Sequence, residues 1–286
     1  MQTHTLATPE VDLVYDVHGP LPTADGRPPL LLIGQPMDAS GFYTLAGHLG
    51  DRTVITYDPR GLGRSSVRRD GRTDMDPVVQ AEDLHRLVAE IGGPVEVFGS
   101  SGGAVVGLAL VAAHPEDVVT LVAHEPPLNS VLPDAEAADR ARAGFFDAYR
   151  SKGWGAGMAQ FIVMTSWQGE YTEAYFAQPA PDPAQFGMPT EDDGNRDDPL
   201  LSDRAWAVSS YVPDVDALTK ASTRVVIAVG EESAGTYTAR TSLATAEALG
   251  QEVTVFPSHH GGFMGGEFGY AGKPEEFAAR LKEVLA

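Results

Sequence analysis

The short stretch Gly99-Ser100-Ser101-Gly102-Gly103 decides how this chain is expected to fold. An apolar run at residues 94–98 precedes it, and a longer apolar run at residues 104–113 follows it. The first run is typical of a buried strand and the second of a buried helix, so the five residues predict a tight turn with Ser101 at its apex. Glycines suit this turn because strand and helix converge there and leave no room for side chains.

The turn also has the frame G-x-S-x-G, which between a strand and a helix is the nucleophile elbow. Such a frame arises by chance as well, and a glycine-rich turn can be purely structural. The apolar runs on both sides favour the catalytic interpretation. In that interpretation, the Ser101 hydroxyl lies at a helix N-terminus, where backbone N–H groups can meet a developing negative charge.

Strands and helices alternate along most of the chain. Apolar runs predict strands at residues 11–17, 30–33, 54–57, 94–98, 118–123, 224–229 and 252–256. Periodic apolar positions and a proline in the first turn predict helices at residues 77–91 and 274–285. This alternation is typical of βαβ units and a mostly parallel sheet.

Residues 127–215, called the cap below, differ from the rest of the chain. They contain all three tryptophans and many other aromatic residues, and short helical pieces are separated by clusters of Pro, Gly and Asp. We therefore predict a helical cap at 127–215, inserted into a core formed by residues 1–126 and 216–286. Most of the aromatic side chains are expected to pack the cap against the core, and a few to line a pocket.

Composition excludes several classes of protein. The 286 residues include 43% hydrophobic residues, enough for a sizeable core, and carry a formal net charge of −20. Nucleic acids and anionic membrane surfaces are therefore unexpected partners. The absence of cysteine excludes disulfides and thiolate chemistry. The first residues lack the pattern of a signal peptide, and no apolar run is long enough to span a membrane, so a soluble cytoplasmic protein is expected.

A serine nucleophile needs a base that accepts its proton and an acid that orients the base. His259 and His260 follow the last predicted strand and have glycines beside them, which places them where the base is expected. Two neighbouring histidines on a loop rarely bind one metal ion without further ligands at recognisable spacing, so no metal site is predicted here.

Four ordered motifs resemble those of the α/β-hydrolase family, in its lidded esterase, lactonase and haloperoxidase members. The family's H-G-x-P turn corresponds to residues 33–36, its D-x-R-G-x-G-x-S segment to 58–65, its elbow to 99–103, and its F-P-x-x-H-x-G-F segment to 256–263. The resemblance implies the α/β-hydrolase fold, a mostly parallel central sheet flanked by helices with an inserted helical cap. It also implies that His260, rather than His259, is the catalytic histidine.

The resemblance further implies an oxyanion hole formed by the backbone N–H groups of Gln35 and Gly102. Ile33 stands where the family usually has histidine, a residue that is typically structural. The family's usual acid position holds Ser233. Some members carry the acid after the strand that precedes the cap, and Glu125 occupies that position here.

We therefore predict Glu125 as the acid, with Glu232 or Glu231 as the alternative and Asp214 or Asp216 as weaker candidates. The expected function is cofactor-free serine hydrolysis of a small, uncharged or weakly polar ester or lactone through an acyl-enzyme on Ser101. Alternatives are perhydrolysis, carbon–carbon bond hydrolysis or cyanohydrin cleavage by the same triad, and a non-catalytic small-molecule binder on the same scaffold.

Overall fold

A computed structural model describes residues 1–72 and 75–286 of the chain. The centre of the fold is one sheet of eight strands. The strands are β1 (Gln2–Ala7), β2 (Asp12–His18), β3 (Leu30–Gln35), β4 (Val54–Tyr57), β5 (Val95–Ser101), β6 (Val118–His124), β7 (Arg224–Gly230) and β8 (Thr254–Phe256).

The strands lie in the order β1-β2-β4-β3-β5-β6-β7-β8. β1 and β2 pair antiparallel at one edge, and β2 pairs antiparallel with β4. All pairs from β4 to β8 are parallel. The carboxyl ends of the parallel strands therefore meet at one edge of the sheet, which is where ligand sites form in open α/β sheets.

Ten α-helices accompany the sheet in the described part of the chain. They are α1 (Tyr43–His48), α2 (Pro77–Ile91), α3 (Gly102–Ala113), α4 (Ala135–Lys152), α5 (Trp154–Ser166), α6 (Glu173–Phe176), α7 (Trp206–Ser210), α8 (Val215–Lys220), α9 (Tyr237–Ala248) and α10 (Pro274–Leu285).

Alternating side chains of the strands bury themselves on the two faces of the sheet. On β3, Leu31 and Ile33 join one apolar core with residues of α2, α3 and α8. Leu30 and Leu32 join the other core with residues of α1 and α10. Because both faces are covered, these strands read as continuous apolar runs rather than as alternating ones.

The cap contains α4 to α7, and all of its residues lie in the described part, where they form no strand. Its apolar side chains form a cluster of their own, which includes Phe145, Tyr149 and Met164 and also Tyr237 of α9. The predicted boundary at residue 216 falls inside α8. The division into core and cap itself stays a prediction.

The D-x-R-G-x-G-x-S motif after β4 is held by ion pairs whose acidic partners are buried. Arg60 donates two hydrogen bonds to Asp83 of α2, at 2.6 and 2.7 Å. Arg64 bridges Asp58, at 2.8 Å from Nε, and Asp16 of β2, at 2.8 and 3.0 Å. These ion pairs connect the loop that carries the motif to β2 and α2.

The sequence did not predict β1. Its burial pattern is almost fully exposed, and it joins the sheet only through antiparallel pairing with β2. An edge strand of this kind has backbone partners but no buried face, so its residues carry no apolar alternation. The other predicted strands and helices agree with the structure within three residues at their ends; the largest difference is at β5, which extends to Ser101.

Replacing Gly103 by alanine should strongly destabilise the protein, because an added Cβ would lie 2.3 Å from the Ile33 carbonyl oxygen. Overpacking against backbone costs about 2 kcal/mol or more of the free energy of unfolding. Gly144, inside α4, is the matched control, since a Cβ there meets nothing within 4 Å. Gly144→Ala should stabilise by about 0.5–1 kcal/mol. Urea denaturation measures the free energy of unfolding of both variants. If Gly103→Ala unfolded at the same urea concentration as the parent, the close packing of Gly103 against β3 would not matter for stability.

Candidate active site

Ser101 lies at the junction of β5 and α3 with a backbone φ of 55° and ψ of −126°. A non-glycine residue in this conformation is strained, and such strain is kept where the surrounding structure enforces it. The last residue of β5 and the first of α3 are adjacent in sequence, so the chain reverses its course within one residue. The serine side chain is thereby presented at the N-terminus of a buried helix.

His260 lies in the loop after β8, and Glu125 directly follows β6. The imidazole Nδ1 of His260 is 2.6 Å from Oε2 of Glu125. The Glu125 side chain is fully buried, whereas the His260 side chain is 36% exposed. His260 and Ser101 line the same cavity. The structure therefore brings together the predicted nucleophile, base and acid from three separate loops at the carboxyl edge of the sheet.

The Glu125 carboxylate is held by three donors. Gly230 N–H donates to Oε1 at 2.9 Å, and the Thr238 hydroxyl donates to Oε2 at 2.6 Å, beside the bond from His260. The Glu125 backbone has a φ of 51°, and its own N–H donates to the Ala228 carbonyl at 3.0 Å. The carboxylate is thus fixed by β7 and α9 as well as by its own strand.

This environment determines the protonation of the pair. Burial raises the pKa of the Glu125 carboxyl, but the hydrogen bond and charge of His260 and the charge of His124 outweigh it, and the net pKa is lowered. An ionised carboxylate can only accept hydrogen bonds, so Nδ1 of His260 carries a proton. In the neutral ring, Nε2 is then the basic nitrogen.

The alternative acids have other partners, although Glu232 also lines the cavity. Glu231 and Glu232 are exposed, and both pair with Lys273, at 3.0 and 2.8 Å. Asp214 caps α8 by accepting the Ala217 N–H at 2.9 Å, and the exposed Asp216 pairs with Lys220. The geometry therefore favours Glu125 as the partner of His260.

Gln35 and Gly102, the predicted oxyanion donors, flank Ser101. Gln35 is the last residue of β3 and lies opposite Ser101 in the parallel pair of β3 and β5. A Cβ on Gly102 would lie 2.7 Å from the Gln35 carbonyl oxygen, so only glycine allows α3 to approach β3 this closely. Both residues line the cavity with Ser101. Their role as oxyanion donors stays a prediction.

The cavity has a volume of about 350 Å³ and extends from Ser101 to the cap. Its wall is mainly apolar and includes Phe145, Phe146, Phe161, Ile162, Met164 and Val208. The aromatic part of the cap lining thus comes from phenylalanines, and no tryptophan is found among the described lining residues. The tryptophans have other contacts; for example, Trp154 Nε1 donates to Asp198 at 2.9 Å.

One basic residue, Arg142 of α4, also lines the cavity. Its guanidinium lies over the Trp206 ring at 3.8 Å and bonds Ser209 and Asp139, at 2.5 and 2.8 Å. Burial lowers its pKa, and the charge of Asp139 opposes that shift. The cap therefore contributes a positive charge to the cavity, but one that already has an anionic partner.

Comparison with known proteins adds the family. A family model described as alpha/beta hydrolase fold matches residues 28–162. An uncharacterized hydrolase of Bacillus subtilis (strain 168), YraK, is 30% identical over 289 residues, which are 98% of this chain and 95% of YraK. The chain belongs to the α/β-hydrolase family. It is therefore a hydrolase, as its sequence resemblance predicts.

Solved structures of other α/β hydrolases have the same fold. An esterase from Exiguobacterium antarcticum superposes with a TM-score of 0.66 at 18% identity, covering 100% of this chain and 99% of its own. An esterase from Thermogutta terrifontis superposes with a TM-score of 0.64 at 22% identity, covering 100% of this chain and 98% of its own. The enol-lactonase from Burkholderia xenovorans LB400 superposes with a TM-score of 0.64 at 16% identity, covering 99% of each chain.

Two further residues of this α/β hydrolase site left little signal in the sequence: none for Thr238, and for His124 only its place at the end of a predicted strand. Thr238 lies 113 residues after Glu125, within a helix, and nothing in its surroundings indicates that its hydroxyl holds the carboxylate. His124 is fully buried among Phe98, Phe256, Phe263 and Phe277, and its ring lies 6.1 Å from that of His260.

His85, His114 and Asp117 form a group whose side chains are close enough to share a metal ion. The two rings, however, stack at 3.9 Å with planes 12° apart. An ion in the plane of one ring would lie well outside the plane of the other. Each ring also bonds a carboxylate, His85 with Asp117 at 2.6 Å and His114 with Glu82 at 2.8 Å. The arrangement suits a hydrogen-bonded link between α2 and the segment after α3.

Among the helices of the described residues, none combines the length and apolar character needed to cross a membrane.

Burial among aromatic rings, together with the charges of His260 and His259, lowers the pKa of His124 to about 4, and the Glu125 charge only partly opposes this. The unfolded chain binds this proton near the ordinary value of 6.5. Between these values the unfolded state holds more protons, so the free energy of unfolding falls as the pH is lowered. From pH 7 to 4.5 the loss due to His124 should be about 2 kcal/mol.

His124→Leu should remove this part of the pH dependence, as measured by urea unfolding at the two pH values. His48→Leu, at an exposed position of α1, is the control and should keep the parental slope. Equal slopes in the His124→Leu variant and the parent would show that His124 titrates normally in the folded state.

Proposed function

We propose that this protein is a cofactor-free serine hydrolase that cleaves a carboxylic ester or lactone through an acyl-enzyme on Ser101. The observation that carries the proposal is the 2.6 Å hydrogen bond between His260 and the buried Glu125, in a cavity that Ser101 also lines. A serine, a histidine with one nitrogen fixed, and a carboxylate that fixes it are the components of nucleophilic acyl transfer.

In the proposed reaction, the Ser101 hydroxyl attacks the carbonyl carbon and transfers its proton to Nε2 of His260. The imidazolium formed is stabilised by Glu125, which stays ionised and accepts the Nδ1 proton. The carbonyl oxygen becomes an oxyanion, and the N–H groups of Gly102 and Gln35 bind it. His260 then protonates the departing alcohol oxygen, and the carbon–oxygen bond breaks to leave the acyl-enzyme.

Hydrolysis of the acyl-enzyme repeats these steps with water. Nε2 of His260 accepts a proton from water, whose oxygen attacks the acyl carbon. The second oxyanion collapses, the carboxylic acid leaves, and Ser101 recovers its proton from His260. For a lactone, the leaving alcohol stays attached to the acid, so a single hydroxy acid is released.

The cavity favours an uncharged substrate of modest size. Its volume is about 350 Å³, and its wall is mainly apolar. The positive charge of Arg142 is paired with Asp139, and the negative charge of Glu232, which also lines the cavity, is paired with Lys273. The esterase and lactonase structures that share the fold agree with this class of substrate without fixing it.

Ser101→Ala should abolish ester turnover and labelling by a fluorophosphonate, while leaving the fold intact. The nucleophilic oxygen is lost but the oxyanion donors stay, so a background of about 10³-fold over water should survive. Rates on p-nitrophenyl esters of rising chain length and on a lactone panel measure the loss. Ser100→Ala is the control because Ser100 is buried within β5. If Ser101→Ala stayed active and Ser100→Ala became inactive, the nucleophile would be Ser100 and the assignment to Ser101 would be wrong.

Glu125→Gln should lower kcat by about two to four orders of magnitude, or about 3–5 kcal/mol of transition-state stabilisation. The amide cannot stabilise the imidazolium and can force the wrong tautomer of His260. Glu232→Gln, which changes an exposed partner of Lys273, should cost less than about tenfold. Steady-state kinetics on one p-nitrophenyl ester compare the two, with circular dichroism as the folding check. Similar losses of kcat in Glu125→Gln and Glu232→Gln would contradict the assignment of Glu125, rather than Glu232, as the acid.

A further inference from the structure

The side chain of Gln35 is unusual among the polar groups that line the cavity. The residue is 3% exposed, and neither Oε1 nor Nε2 of its amide has a hydrogen-bond partner among the described residues. By contrast, the buried Thr238 hydroxyl bonds Glu125, and the Tyr237 hydroxyl bonds Asn129 at 2.5 Å. Arg142, whose Nε also lacks a partner, bonds Ser209 through another nitrogen of its guanidinium. A buried amide without partners is costly to the folded state, and such an exception in a native site calls for an explanation.

The position of this amide is closely constrained. Gln35 lies opposite Ser101 in the strand pair, and Gly102 closes over its side chain: a Cβ on Gly102 would lie 2.8 Å from Cβ and 3.0 Å from Cγ of Gln35. The side chain therefore starts between β3 and the first turn of α3. Because Gln35 lines the cavity opposite Ser101, its amide is placed to reach groups next to the carbonyl that Ser101 would attack.

We propose that the Gln35 side chain binds a neutral hydroxyl or carbonyl group of the substrate, on one of the first carbons beside the scissile carbonyl. The preferred substrates would then be hydroxy- or oxo-substituted esters or lactones rather than plain alkyl ones. This inference rests on the proposed function and specifies its substrate class.

The amide chemistry sets the class of group. Nε2 donates and Oε1 accepts, so a hydroxyl can pair with either atom and a carbonyl with Nε2. A carboxylate is disfavoured because Oε1 and the nearby Glu125 carboxylate would repel it. A plain methylene would leave the amide unpaired in the complex, and sites built to bond a polar group discriminate strongly against analogues that lack it.

Gln35→Met tests the inference, because methionine has nearly the same length and keeps the backbone N–H. Gln80 of α2 offers a matched control: it is also buried with both amide atoms unpartnered among the described residues, but it does not line the cavity. Gln80→Met removes the same chemical group from the core and leaves the site unchanged. Circular dichroism and urea unfolding check both folds, and Gln35→Leu repeats the test if Gln35→Met fails to fold.

The probes are p-nitrophenyl butyrate and p-nitrophenyl 3-hydroxybutyrate, with γ-butyrolactone and α-hydroxy-γ-butyrolactone as the cyclic pair. In at least one pair, the parent should prefer the oxygenated member in kcat/KM by about tenfold or more. Gln35→Met should lose that preference, with kcat/KM falling at least about tenfold more on the oxygenated member than on the plain one. Gln80→Met should keep the preference.

A parent that hydrolyses the esters or lactones without preferring the oxygenated members overturns the inference and leaves the proposed function intact. So does a Gln35→Met variant that loses activity equally on both members of a pair, since the side chain would then act on the scissile carbonyl itself. A parent that turns over neither pair and takes no fluorophosphonate label on Ser101 overturns the proposed function, and the inference with it.

Discussion

The buried carboxylate of Glu125 is the group on which the rest of the site depends. An ionised group without contact to water is tolerable only when it is paired and hydrogen-bonded. Gly230, Thr238 and His260 supply those bonds, and they come from the end of β7, from α9 and from the loop after β8. One charge therefore fixes the relative positions of three segments that are distant in sequence. The orientation of the histidine follows from the same bonds.

The surroundings of this charge are arranged so that few other charges compete with it. His124, next to Glu125 in sequence, is kept neutral near pH 7 by its aromatic enclosure, which lowers its pKa to about 4. Arg142 is balanced by Asp139 at the far side of the cavity. The wall between them is apolar. In such surroundings, the interaction of Glu125 with a developing imidazolium is stronger than it would be in water.

The sequence predicted the parts of the molecule that are dictated by local chemistry. Buried parallel strands such as β3 must be apolar on both faces, and the elbow needs glycines beside Ser101, so both leave a clear pattern. Glu125 was also predicted as the acid, from the family resemblance and its place after the strand that precedes the cap. β1 left no pattern because it is an almost fully exposed edge strand that pairs only with β2.

The finer contents of the site could not be predicted because they depend on packing across long sequence separations. Thr238 reaches Glu125 only when α9 packs beside β7. Likewise, the sequence predicted that a few aromatic residues of the cap line a pocket, but it did not say which, and phenylalanines of α4 and α5 form the aromatic wall. Which face of a cap helix points inward is set by its packing on the core, and composition does not specify it.

The placement of the acid before the cap has a consequence for how this molecule can change. Glu125 is followed directly by Pro126 and Pro127 and then by the rest of the cap, so the anchored charge stands at the entry of that segment. Its donors, Gly230 and Thr238, lie beyond the exit of that segment. The proposed catalytic residues and the donors that hold them thus lie on both sides of the cap in the sequence. Exchanging the cap between Pro127 and α8 would replace the cap's part of the cavity wall. Ser101, His260 and Glu125 would stay in the chain together with the hydrogen bonds between Glu125 and its donors.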